Sequence, residues 1–397
     1  MGAGQSGAAR PALGDGPWEP IAPDGEAFRL DGIELYEVEL PLLEPFVGPA
    51  MKELSKRAIL VRVEAGTTSG WGECPVPSAP HYSEEWIEGA WMAIQDFLVP
   101  ALVPEKKLES PGEMAARLAV VRGHPIAKSG LEAAVIDAWC KRASIGLADW
   151  LGSPSPSVDC GVVLGATEPS QALRQATKFL GQGYQRLKVK IWPGSGLQTL
   201  EAIRGEFPDA ALAGDANGSF AAASPQELST LDDMGLSLVE QPLPAEQWLG
   251  HAGLARRMTT PICLDESIRS AFDVDLAAHL RAATSLNLKP ARMGGIIQAR
   301  LALDLARLHG IDAWVGGMIE TGIGRAVSIA LAAQEGITAP NDISASDRHF
   351  GLDITEPFEV DSSGKMALPA GSGIGTAPLD SILAAHTRRH KVVWSWV

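Results

Sequence analysis

Five ionisable residues recur at an even interval in the second half of this chain. Lys190, Asp215, Glu240, Asp265 and Lys289 are separated by 25, 25, 25 and 24 residues, and Lys188 precedes the first by two. Each closes or follows a short apolar run: "RLKVKI", "ALAGDANGSF", "LSLVEQPL", "PICLDES" and "SLNLKP". Three carboxylates held together cannot all stay ionised without a cation. Three hard oxygen ligands with room for water and substrate suit Mg2+, with Mn2+ as a substitute, better than Zn2+. The lysines point to proton transfer. A lysine is a useful base only if its pKa falls toward the working pH, and a nearby ammonium does that by repulsion. Lys188, on the same face of the alternating run as Lys190, is placed to do so; Arg292 stands three residues after Lys289.

An even interval needs a repeating scaffold. From about residue 157, short apolar runs alternate with amphipathic stretches of 10–15 residues, which predicts βα units and a parallel sheet. The strands fall near "CGVVLG", "RLKVKI", "AALAGDA", "LSLVEQPL", "PICLDES", "SLNLKP", "DAWVGGMIE" and, most weakly, "ITAPNDI". Eight units favour a (β/α)8-type barrel, whose active sites lie at the C-terminal ends of the strands. Strands two and six would be opposed, so Lys190 and Lys289 would face each other across the three carboxylates. Before the barrel, "IELYEVEL", "RAILVRVEAG" and "TSGWGE" read as a small antiparallel sheet, followed by three helical stretches. The expected organisation is α/β: a flexible extension over 1–28, an α+β capping domain over 29–150, the barrel over 151–370, and a segment over 371–397 that packs on the cap with a helix near "LDSILAAHTRRH".

Composition narrows the class. Of 397 residues 46% are hydrophobic, ample for a large core, and the formal net charge is −15, which argues against nucleic acid and anionic membranes as partners. A small-molecule carboxylate substrate remains compatible, because a local basic pocket can sit in an acidic protein. Cys74, Cys140, Cys160 and Cys263 form no CxxC pair and read as free buried thiols of a cytoplasmic protein. No apolar run is long enough for a membrane helix. "GAGQSG" and "MGAGQS" match dinucleotide-binding and myristoylation patterns, but no strand precedes the glycines and both lie in a Gly/Ala/Pro-rich tail.

Two lysines flanking one carbon beside a divalent metal would remove an acidic C–H proton. The second charge would develop on the substrate carboxylate. "KVK", "DANGSF", "VEQPL", "LDES" and "LNLKPARMGG" resemble the enolase superfamily, muconate-lactonising-enzyme subgroup, for which this Lys-plus-Mg2+ chemistry is known. "GGMIETGIGRA", "NDISASDRHF" and "GWGECPVPSAPHYSEE" resemble its o-succinylbenzoate synthase / N-succinylamino acid racemase family. The resemblance implies Lys190 and Lys289 as the acid/base pair and Asp215, Glu240 and Asp265 as Mg2+ ligands. It implies that Lys188 and Asn217 support the substrate carboxylate and metal region. Gly317, Met318 and Ile319 would contact the succinyl side. Phe46 to Met51 and Tyr82 would close over the substrate, and Arg292 matches a position associated with racemisation. The expected activity is o-succinylbenzoate synthase, a lyase of menaquinone synthesis, in a homo-oligomer; the alternative is N-succinylamino acid racemase, or both in one site.

The sequence departs from the family pattern at Val163, where a serine that could contact the substrate is expected. The long N-terminal extension also lies outside the pattern. A Schiff-base lyase would leave the three carboxylates unexplained, and a scaffold without catalysis would leave the intact Lys–Asp–Glu–Asp–Lys series unexplained.

Overall fold

The computed structural model describes residues 28–48, 51–104, 107–152, 154–166, 168–222 and 225–396. The expected N-terminal extension lies outside the described residues except for Phe28, whose buried ring stacks on Trp139 with centroids 4.7 Å apart.

Seven parallel strands form one sheet in chain order: Gly161–Leu164, Arg186–Lys190, Leu212–Asp215, Leu238–Glu240, Ile262–Leu264, Ser285–Leu288 and Asp312–Val315. A helix follows each, from Pro169–Gly181 after the first to Gly322–Ala332 after the seventh. The strands alternate as their sequences require. In Arg186–Lys190, Leu187 and Val189 face the helix layer fully buried, and each such burial is worth roughly 1.5–3 kcal/mol. Arg186, Lys188 and Lys190 take the other face, toward the barrel interior, where the Arg186 guanidinium lies over the Trp314 ring at 4.1 Å.

The eighth strand differs from expectation. "ITAPNDI" makes isolated bridges instead of a ladder: Cys160 pairs with Asn341, Ala313 with Ile337, and Gly316 with Asp342. Gly161 N donates to Asn341 O at 2.6 Å and Asp342 N to Val315 O at 2.9 Å, so two residues close the barrel. Pro340 has no N–H to extend the pairing.

The cap sheet has the order Thr387–Ser395, Gly32–Gly48, Met51–Ala65, Thr68–Cys74, all antiparallel. The C-terminal helix is shorter than the sequence suggests: it spans Asp380–His386, and "TRRH" begins the outermost cap strand. The long helix Pro125–Arg142 lies against this sheet. Its approach is close because Gly70 and Gly72 face it without side chains; a Cβ on either would overlap the backbone of Ala134 or Gly130.

That helix also ties the cap to the barrel. Glu132 projects from it to the first turn of helix Ile296–His309 and accepts a hydrogen bond from Ile297 N at 3.1 Å. Gly295 (φ 136°) leaves room for the carboxylate, which a Cβ there would strike. Glu73 does the same for Gly322–Ala332, accepting from Thr321 N, Thr321 Oγ1 and Gly324 N. Burial pushes the Glu132 carboxyl up to about 8 from 4.5, against the pull of the backbone donors. A carboxyl raised in the fold holds its proton more tightly there than in the unfolded chain. Its contribution to stability is therefore full below about 4.5 and is lost as pH rises through about 8. Glu132→Gln should flatten this loss. In urea unfolding, its stability relative to the parent should rise by roughly 2–4 kcal/mol between pH 5 and 8.5; parallel pH profiles would contradict the assignment.

Candidate active site

The register of the sheet brings the spaced residues to one rim. Lys190 pairs with Asp215 and Asp215 with Glu240 across adjacent strands, and each is the last residue of its strand. Asp265 and Lys289 each directly follow a strand. A cavity opens over this rim. From the barrel it is lined by Val163, Lys188, Lys190, Asp215, Asn217 and Lys289, and by the stretch Gly316, Gly317, Met318, Ile319 and Glu320. Glu53, Lys56, Pro75, Pro77 and Tyr82 close it from the cap.

Lys190 Nζ donates to Asp215 Oδ2 at 2.8 Å and to Asn217 Oδ1 at 2.7 Å. Asn217, at φ 42°, passes its own amide to Glu266 Oε1 at 2.8 Å, which fixes the face it shows to Lys190. Lys188 lies one layer deeper and is buried. Its ammonium reaches Glu240 Oε2 at 2.6 Å and Asp215 Oδ2 at 3.3 Å, contacts Asp342, and stands 5.0 Å over the Trp314 ring. Burial alone would lower its pKa, but Asp342, Glu240 and Asp215 outweigh this and hold it well above the usual lysine range. Lys188 is thus the fixed positive charge beside Lys190, held by barrel acids.

Lys289 Nζ donates to Asp265 Oδ2 at 2.9 Å and to Tyr82 Oη at 3.1 Å. Burial and the repulsion of the nearby Arg292 charge act to lower Lys289, but Asp265 and Tyr82 outweigh them and Lys289 is held above its ordinary value. Arg292 itself does not line the cavity. It ion-pairs with Asp265 and donates to Ile268 O at 3.0 Å and Asn287 O at 2.9 Å, so it backs Asp265. Phe46 pairs with Glu53, and Met51 with Gly48, along the first two cap strands. Residues 49 and 50 between them lie outside the described residues, as do the Phe46 and Met51 side chains.

Among the described residues no three His, Cys, Asp or Glu side chains gather tightly enough to hold a metal ion as they stand. Each carboxylate of the series instead turns an oxygen to an ammonium group: Asp215 to Lys190, Glu240 to Lys188, Asp265 to Lys289. The donor set still fits a hard divalent cation. Glu240 is fully buried, and burial with the adjacent Asp215 and Asp265 pushes it to about 8 despite Lys188. A group that costly to ionise is one that a cation would relieve.

Several site residues escaped the sequence reading. Asp342, from the closing bridge, contacts Lys188 and also pairs with Arg186 at 3.0 Å. Lys56 and His349 also line the cavity; Lys56 belongs to no quoted motif, and His349 stands within "NDISASDRHF" without having been singled out. Val163 lies on the cavity wall.

The family described as enolase C-terminal domain-like matches residues 171–382. The chain is 42% identical to an N-succinylamino acid racemase of Amycolatopsis over 357 residues, 89% of this chain and 96% of the relative. It is 36% identical to an o-succinylbenzoate synthase of Bacillus subtilis, over 92% of this chain and 98% of that one. A crystal structure of an enolase-superfamily member from Listeria innocua superposes with a TM-score of 0.88 at 34% identity, covering 92% of this chain and 99% of the other.

Proposed function

The chain belongs to the enolase superfamily, in the family shared by o-succinylbenzoate synthases and N-succinylamino acid racemases, and from that membership we propose that it abstracts the α-proton of a small carboxylate substrate. The observation that carries this reading is the pair Lys190 and Lys289, which enter one cavity from the second and sixth strands of the barrel.

Asp215, Glu240 and Asp265 would hold Mg2+, which when bound stabilises the second negative charge that develops on the substrate carboxylate. Lys190, in its neutral form, takes the α-proton; its hydrogen bonds to Asp215 and Asn217 aim the nitrogen. Lys188 stays charged and adds to the positive field over the enediolate. In the dehydration catalysed by an o-succinylbenzoate synthase, Lys190 returns its proton to the departing hydroxyl so that water leaves from the same face, while Lys289 remains a cation held by Asp265 and Tyr82. This is the reading we favour.

A second reading rests on the same pair. With a lysine on each side, one removes the proton and the other delivers a proton to the opposite face, which racemises an N-succinylamino acid. The Amycolatopsis relative supports it. The test is a side-by-side assay of the purified protein with Mg2+. Formation of the aromatic product from the succinyl-hydroxycyclohexadiene carboxylate is expected. Loss of optical activity from an N-succinylamino acid at a comparable kcat/KM would assign both activities to one site. Neither reaction occurring would refute the proposal.

A further inference from the structure

The long cap helix Pro125–Arg142 begins without a local cap. Its N-cap residue, His124, stands at φ 54°, and its side chain accepts nothing from the first turn. Ser, Thr, Asp or Asn usually meets those donors from the N-cap position itself. Here they are met from a distance. The buried Glu85 accepts from Ile126 N at 2.7 Å and from Ala127 N at 3.0 Å, across 41 and 42 positions of sequence. Glu85 stands near the end of the loop 75–86, which has no ladder of its own to hold it. The other tie of this stretch to the barrel, Glu84 to Arg269 at 3.1 Å, is exposed, and exposed pairs hold little.

Tyr82 belongs to the same loop, three residues before Glu85. Its hydroxyl accepts from Lys289 Nζ at 3.1 Å, and the nitrogen stands 5.5 Å from its ring centroid. The helix that Glu85 grips also carries the Lys289 side of this contact. Pro125 lies against Gly294, where a Cβ would stand 3.8 Å from it. Ser129 and Ala133 face Pro290 and Ala291 across a small cavity, and Glu132 holds the next helix at Ile297 N. The loop bearing Tyr82 and the loop bearing Lys289 are thus both set by one helix. A neutral lysine nitrogen has two N–H bonds. With these given to Asp265 and Tyr82, the lone pair takes the remaining tetrahedral position. Without the Tyr82 acceptor, the nitrogen is free to turn about its last bond.

We propose that Glu85 is a positioning residue: by gripping the start of helix Pro125–Arg142 it holds Tyr82 against Lys289, and so aims the Lys289 nitrogen at the substrate α-carbon. This rests on the proton-abstraction reading above. In the step concerned, the α-proton passes to neutral Lys289 and the C–H electron pair stays on the substrate as the enediolate.

The test follows deuterium entry at the α-carbon of each enantiomer of an N-succinylamino acid, at saturating substrate with Mg2+, so that weaker binding does not enter. The enantiomer served by Lys289 is the one whose exchange survives in Lys190→Ala. Glu85→Ala should slow exchange of that enantiomer about 10-fold or more, the scale of a small misplacement of a reacting group. The other enantiomer should stay within about 3-fold of the parent. Glu85→Gln, which keeps an accepting oxygen, should lose less. Tyr82→Phe should slow the same enantiomer, and adding Glu85→Ala to it should cost little more, because both changes act through one contact. The helix should survive in Glu85→Ala, since Asp137 still accepts from Trp71 N at 2.8 Å and Ile374 N at 2.7 Å; Glu85→Gln carries the test if it does not. An equal loss on both enantiomers would assign Glu85 a structural role and overturn the inference. Unchanged exchange from both, or full additivity with Tyr82→Phe, would overturn it too. Exchange in the parent protein from the Lys190 enantiomer alone would leave Lys289 no proton to take; it would overturn the inference and leave abstraction by Lys190 standing. Exchange from neither enantiomer would instead refute proton abstraction, and this inference with it.

Discussion

Lys190→Ala is expected to lower turnover by about 10^3-fold or more while leaving the melting temperature within a few degrees of the parent. A positioned acid/base group is worth 10^2 to 10^4 in rate, and here the same side chain is asked both to take a proton and to give it back. The fold should survive because Asp215, which loses Lys190 as a partner, keeps the Lys188 ammonium at 3.3 Å. Lys289→Ala is protected in the same way, since Asp265 retains Arg292. The expectation for Lys289 differs in kind. If the cation is all that the reaction needs there, Lys289→Arg retains measurable dehydration; if Lys289 is a base, Arg abolishes racemisation, because a guanidinium does not deprotonate. Steady-state kinetics on the two substrates, with circular dichroism melts of each variant, check both. Turnover of Lys190→Ala within tenfold of the parent would remove it from the chemistry.

The second large effect concerns Glu240. It is fully buried and accepts from Lys188 Nζ at 2.6 Å and Asn287 Nδ2 at 2.8 Å. Glu240→Gln keeps the volume and removes the charge. The parent protein should gain stability with added Mg2+, by about 2.7 kcal/mol when the ion stands at 100 times its dissociation constant. The variant should lose most of that gain and at least 10^2-fold in turnover. Lys188 would keep Asp215 and Asp342, so the variant should still fold. An unchanged melting response to Mg2+ in Glu240→Gln, or no response in the parent, would contradict the assignment of these carboxylates as ligands.

The rim of the barrel was legible in the sequence for a physical reason. Parallel strands buried on both faces show as short apolar runs, and a residue that must reach the cavity stands where the run ends. Lys190, Asp215, Glu240, Asp265 and Lys289 all obey this, and one βα unit sets the interval between them. The closing strand was less legible because isolated bridges on either side of Pro340 leave no run to see. The start of the C-terminal strand Thr387–Ser395, "TRRH", was read as the end of a helix. Its partner, Gly32–Gly48, lies some 350 residues away, and no local pattern reports that pairing. Arg292 stands close to the series in sequence, yet which way its guanidinium turns depends on Asp265 and two carbonyls that only the fold assembles. Lys56 was missed because "SKRAIL" reads as an ordinary charged strand start. The signal was present nonetheless: Lys56 shares its strand face with Ala58 and Leu60, both buried, and a lysine in register with a core face asks for an explanation. Asp342 stood within "NDISASDRHF", yet nothing local reports that its carboxylate meets Lys188 and Arg186 across the barrel.

The claim on which the rest depends is that Lys190 and Lys289 flank one carbon from opposite sides. The most direct measurement is deuterium entry at the α-carbon, followed separately for each enantiomer of an N-succinylamino acid, in the parent protein, Lys190→Ala and Lys289→Ala. The account predicts exchange from both enantiomers in the parent. It predicts exchange from one enantiomer only in Lys190→Ala, and from only the other in Lys289→Ala. Variants that lose exchange from both enantiomers alike, or keep it from both, would contradict it.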